Sequence, residues 1–92
     1  MSQCYRVVID PQAIRDLARL HPNVRRDVLN AARLLEDAPR PPGAKHLDGS
    51  DYRLRVRGDY RIVYEVDDDM RMVRVFAVAG RARIYDLSRH RS

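Results

Sequence analysis

The chain has 92 residues, 45% of them hydrophobic, which suits one domain with a modest core and argues against a disordered polymer. Lys and Arg number 18 against 13 Asp and Glu, a formal net charge of +5, and Lys45 is the only lysine. The cationic character is therefore nearly all arginine, whose planar fork of donors suits phosphate, and a basic small domain points to an anionic partner rather than a neutral one.

Cys4 is alone, which excludes an intramolecular disulfide and a cysteine-based zinc site. The N-terminal MSQCYRVVID has no signal-type apolar region, and no run approaches the length of a membrane span. The expectation is a cytoplasmic protein without membrane association, with residues 1–92 forming one domain.

In chain order, residues 4–9 read as a short strand rich in β-branched side chains. Asp10-Pro11 is a helix start, with Asp10 as N-cap and proline at the first helical position. A first helix over 11–20 is expected to turn Ile14, Leu17 and Ala18 inward, and His21-Pro22 ends it. In a second helix over 22–37, Val24, Val28, Ala31, Ala32 and Leu35 fall on one stripe. Residues 38–51, rich in proline and glycine, read as a loop crossing from helices to sheet. Strands are expected over 52–57, 60–66 and 71–79, with Asp67-Asp68-Asp69 turning between the last two. The order β-α-α-β-β-β predicts an α+β fold, an N-terminal strand and a helical hairpin packed on one face of an antiparallel sheet.

The stretch YRLRVRGDYRIVYEV carries the chemistry. A two-residue loop at Gly58-Asp59 would mix arginine and apolar side chains on both faces of the hairpin. A three-residue loop, Arg57-Gly58-Asp59, instead sets Leu54, Val56, Tyr60, Ile62, Tyr64 and Val66 on one face. The other face then carries Arg53, Arg55, Arg61, Val63 and Glu65, and is expected to stay open. Like charges set opposite each other are destabilising, so compensation is expected, either from an anion bound on this face or from Glu65 and neighbouring acids on a solvated one. The tripeptide Arg57-Gly58-Asp59 spells an adhesion motif but reads here as the turn alone. After the last strand comes VAGRARIYDLSRHRS: Arg81 sits where the strand should end, Arg83 follows, and Tyr85 offers a ring for stacking on a base or a hydroxyl to donate a proton. Residues 88–92 read as a frayed basic tail.

Taken together, IDPQAIRDLARL, the helical hairpin, KHLDGSDYRLRVRGDYRIVYEVDDD and VFAVAGRARIYDL resemble the RelE toxins of bacterial type II toxin–antitoxin systems, over roughly residues 5–85. The most specific part is YRLRV…GDYRIVYEV followed by an arginine and a tyrosine near the end. The resemblance implies a microbial-RNase-like fold and ribosome-dependent cleavage of mRNA in the A site, with no metal or other cofactor. It implies a cognate antitoxin, the ribosome and mRNA as partners, and operator DNA only through the antitoxin complex. Residue by residue, it implies that Arg61 binds phosphate and that Arg81 stabilises the transition state or protonates the leaving group. Tyr85 would stack on, or help orient, the cleaved nucleotide. Arg53 and Arg55 fill positions where some members carry lysine, and with Arg83 they are the expected RNA-phosphate contacts.

Two departures stand out: Ala79-Gly80 replaces a frequent Gly-His pair, and arginine at the hairpin positions does not serve as a base. Glu65 lies far along the strand, His21 and His90 have no assigned place, and His46 is expected to be structural or exposed. The alternative is a ParE-type toxin that binds and poisons DNA gyrase without cutting RNA. The Arg61, Arg81 and Tyr85 set favours the nuclease, because ParE-like chains generally lack it.

Overall fold

A computed structural model describes residues 4–80. The elements are β1 (Arg6–Ile9), α1 (Pro11–Ala18), α2 (Pro22–Leu34), β2 (Lys45–Asp48), β3 (Asp51–Val56), β4 (Tyr60–Asp67) and β5 (Met72–Gly80). They form a five-stranded sheet in the order β1-β5-β4-β3-β2, antiparallel except where β1 joins the edge parallel to β5. The α+β architecture expected from the sequence is thus present. Among the described residues no helix is long and apolar enough to cross a membrane.

The α2 stripe is as expected: Val24, Val28, Ala32 and Leu35 are buried, and Ala31 is half-buried. His21 is its N-cap, and the Nδ1 of His21 accepts from the Asn23 N–H at 3.1 Å, which gives this histidine a structural role. Arg25 reaches back to the end of α1, donating to the carbonyls of Leu17 and Leu20 at 3.1 and 3.2 Å.

The inward face of α1 differs from expectation. Ala13, Asp16 and Leu17 are buried, while Ile14 is 55% exposed and Ala18 is also exposed. The cause is Asp16, whose Oδ2 accepts the Val78 backbone N–H at 2.9 Å and whose Oδ1 accepts from Gln12 at 2.8 Å. Satisfying that N–H turns the polar position inward and carries Ile14 toward solvent. Asp10 is the N-cap with Pro11 following, but its carboxylate makes no capping hydrogen bond and lies instead 3.9 Å from Arg74 Nε.

The core between helices and sheet contains Leu17, Val28, Leu35, Ile62, Tyr64 and Val75. Tyr64 donates its hydroxyl to the Pro39 carbonyl at 2.8 Å, fastening the loop that leads to β2. Farther along, Arg40 donates to the Tyr52 hydroxyl at 2.8 Å and makes a two-pronged contact with Asp68 at 2.8 and 3.2 Å. Asp68 also accepts from the Tyr5 hydroxyl, and the Arg40 hydrogen bond is the main reason its carboxyl is held below its ordinary value.

Burial pushes the Tyr64 phenol up to about 12, with the neighbouring Tyr52 adding to the effect. Because the folded value is raised, this contribution to stability is complete below about pH 10, where an unfolded tyrosine is still neutral. It is lost as the pH rises toward 12. Tyr64→Phe is expected to flatten that alkaline decline in thermal melts between pH 9 and about 12, while lowering stability near pH 7 by about 1 kcal/mol for the lost hydrogen bond. An unchanged alkaline slope would remove Tyr64 as its source.

One strand is a correction. Residues 45–48 belong to no loop: β2 pairs with β3, placing Lys45 opposite Arg53 and His46 opposite Tyr52. A four-residue edge strand with one apolar side chain, Leu47, shows no alternation, so its pairing with β3 alone defines it.

Candidate functional site

The hairpin register is the three-residue one. Val56 pairs with Tyr60, Arg55 with Arg61, Leu54 with Ile62 and Arg53 with Val63. The turn places both Arg57 and Gly58 in the left-handed region, with φ of 58° and 81°. Glycine adopts that geometry freely, whereas Arg57 is held there while its Nη1 pairs with Asp27 of α2. The Arg57-Gly58-Asp59 tripeptide is turn chemistry, and Arg57 does not join the other hairpin arginines.

Arg53, Arg55 and Arg61 share the face away from the helices. Arg55 and Arg61 are directly opposite, their Cα atoms roughly 5 Å apart as neighbouring strands require. This face is not open throughout, contrary to expectation. Arg61 is only 8% exposed and Val63 only 2%, and Val63 forms a second small apolar cluster with Phe76, Ala77 and Ala79, against which Leu47 packs. Arg61 sits on a central strand between β3 and β5, so its stem is covered from both sides. Its Nη1 donates to the carbonyls of Gly58 at 2.9 Å and Tyr60 at 3.3 Å, which fixes the guanidinium at the turn.

A bulge in β5 helps build this face. Val63 pairs with Ala77 and Tyr64 with Val75, so Phe76 is the extra residue. The shift sets Ala77 and Ala79 beside Val63 and Arg61, and small side chains there leave room for the arginine.

Toward β2 the face does open. A pocket of about 340 Å³ is lined by Pro42, Gly43, Lys45, Arg53, Leu54, Arg55 and Arg61. Arg55 and Lys45 are exposed and Arg53 is half-buried. Glu65, the acid on this face, points its charge elsewhere: it takes Arg74 Nη2 at 3.3 Å and the Ser50 hydroxyl at 3.4 Å, at the end of β4 remote from Arg61. The pocket is thus cationic, with an arginine pair at one end and Lys45 at the other.

Lys45 is the pocket residue that sequence reasoning missed, because it lay in a segment read as loop. The signal was Asp48-Gly49, a dipeptide that favours tight hairpin turns, just before an alternating strand. His46 faces the other way, its ring 5.1 Å from that of Tyr52 and its Nε2 2.6 Å from the Gly49 carbonyl oxygen, a structural place as expected. The remaining site residues expected from the sequence, Arg81, Arg83 and Tyr85, lie outside the described residues.

Residues 7–85 match the family profile described as ParE toxin of type II toxin-antitoxin system, parDE. The chain belongs to this family of toxins. The motif-based recognition of a RelE/ParE-type toxin is borne out, and solved structures agree. A chain of the RelBE2 toxin–antitoxin complex from Mycobacterium tuberculosis is 31% identical, with 86% of this toxin and 93% of that chain covered at a TM-score of 0.75. The archaeal RelE–RelB complex from Pyrococcus horikoshii contains a chain 30% identical, with coverage of 87% and 98% and a TM-score of 0.76. The isolated RelE toxin of E. coli is 25% identical, with coverage of 95% and 97% and a TM-score of 0.73. A search of curated proteins finds no match.

Proposed function

We propose that this toxin is a ribosome-dependent endoribonuclease that cuts mRNA in the A site. The observation that carries the reading is the Arg55–Arg61 pair, set face to face across β3 and β4 and opening into a pocket that also presents Arg53 and Lys45. Attack of a ribose 2′-OH on the adjacent phosphorus builds extra negative charge on the phosphorane oxygens. Guanidinium groups aimed at those oxygens stabilise that charge, and a rigid cradle holds the phosphate for in-line displacement. Arg61, buried and anchored at the turn, supplies the fixed donor, while Arg53 and Arg55 hold the flanking RNA phosphates. Arg81, Arg83 and Tyr85 enter on the motif resemblance, as transition-state, phosphate and base-stacking residues. The chemistry of this reading calls for no metal or cofactor.

Purified protein added to translating ribosomes is expected to produce mRNA ends mapping to the A site. Absence of such ends with wild type, or their persistence in the Arg61→Ala, Arg81→Ala double variant, overturns the reading. A second reading is favoured by the profile match itself, which carries the ParE description: a toxin that poisons DNA gyrase. Inhibition of gyrase supercoiling by the purified protein, with mRNA left intact, would establish it.

The partner in either case is a cognate antitoxin, as in the RelB–RelE complexes. A groove of about 560 Å³ between β1 and α2 has Val7, Ile9, Leu29 and Ala32 in its lining and Arg26 and Arg33 among its polar groups. An acidic, amphipathic antitoxin segment fits that chemistry. Arg26→Glu with Arg33→Glu is expected to weaken antitoxin binding at least tenfold by calorimetry, with the wild-type complex losing affinity as salt rises. Unchanged affinity would place the antitoxin elsewhere.

A further inference from the structure

We propose that Lys45 is the general acid of the cleavage, its ammonium giving a proton to the 5′-oxygen of the leaving nucleotide. The inference rests on the mRNA-cleavage reading and gives Lys45 the leaving-group protonation that the resemblance offers as one of two roles for Arg81. Among the described residues lining the pocket, Lys45 is the side chain able to exchange a proton, because guanidinium groups keep theirs throughout. It is also the only lysine in the chain.

The placement is specific. Lys45 stands directly opposite Arg53, whose other neighbour is Val63 on β4, the strand that carries Arg61. Two strand spacings therefore separate Lys45 from the Arg61 strand, roughly 10 Å in all. A phosphodiester held by Arg55 and Arg61 bridges most of that distance, and the flexible lysine stem covers the rest. Lys45 is exposed at the pocket rim, so its amine also exchanges with solvent between turnovers.

In the step itself the 2′-oxygen forms a bond to phosphorus and the bond from phosphorus to the 5′-oxygen breaks. The 2′-hydroxyl proton passes to water. The Lys45 ammonium proton goes to the departing 5′-oxygen, and the amine regains a proton from solvent. The products are a 2′,3′-cyclic phosphate and a 5′-hydroxyl, with no net change in protons. An alkoxide is far more basic than an amine, so the transfer from ammonium to the leaving oxygen runs downhill.

The test compares wild type, Lys45→Arg, Lys45→Met and Arg61→Ala on ribosome-bound mRNA in single-turnover cleavage. One substrate has the natural linkage, and the other has a 5′-bridging sulfur at the cut site, which leaves as a thiolate without needing a proton. Both Lys45 variants are expected to fall about 100-fold on the natural linkage. On the sulfur linkage they should return to within a few-fold of wild type, whereas Arg61→Ala stays slow on both. Wild-type rates for Lys45→Arg on the natural linkage would mean that charge alone suffices, and would overturn the proposal. Equal losses on the two linkages would also overturn it, assigning Lys45 to phosphate contact or to the 2′-hydroxyl proton. If wild type cuts neither substrate, it is the cleavage reading that fails.

Discussion

Under the proposed mRNA cleavage, replacing Arg61 with alanine is expected to lower cutting in the A site by about 100- to 1,000-fold, the usual consequence of removing one fixed donor from a developing oxyanion. Arg61 is buried, and its Nη1 bonds the Gly58 and Tyr60 carbonyls, so the change also acts on the hairpin turn. Losing a charged hydrogen bond there costs about 1.5–3 kcal/mol. The two effects separate by measurement: thermal melts report the turn, and single-turnover cleavage at a temperature where both proteins are folded reports the chemistry. Arg61→Lys retains the charge but not the planar fork, and its cleavage should fall between the two. Cleavage by Arg61→Ala within twofold of wild type would remove this residue from the site.

The second large effect is on stability and concerns Asp16. Among the described residues the strand β1 pairs with Met72 to Val75 of β5, and its register stops short of the later half of β5. At Val78 the carboxylate of Asp16 takes over, accepting the backbone N–H at 2.9 Å from a position only 4% exposed. Asp16→Ala leaves that N–H buried with its acceptor gone, a cost of about 1–3 kcal/mol. For a domain of this size the melting temperature should fall by roughly 5–20 °C. Asp16→Asn keeps an oxygen in place and should recover much of the loss. A melting temperature for Asp16→Ala within a degree or two of wild type would show that the contact carries little.

The arginine pairing was legible because of a simple constraint. A strand alternates faces with period two, and only a three-residue turn puts Leu54, Val56, Tyr60, Ile62, Tyr64 and Val66 on a single side. Once that apolar face is required, Arg55 must stand opposite Arg61, as it does. The α2 stripe was legible for the same kind of reason, its apolar residues recurring at helical spacing from Val24 to Leu35. Hydrophobic pattern failed at α1, where Asp16 turns inward to meet a backbone N–H 62 residues away, and Ile14 is displaced to the surface.

The residues alone thus determined the types of most elements, the register of the hairpin and which of its arginines share a face, since each of these follows from local periodicity and the need to bury apolar side chains. Tertiary structure decided the rest. It paired Lys45 with Arg53, buried Arg61 between two strands, placed the β5 bulge at Phe76 and engaged Glu65 with Arg74. Each of these depends on a partner in another element of the fold. A short edge strand, a buried cation and a bulge are defined by the neighbours that satisfy them, and such neighbours leave no period in the sequence.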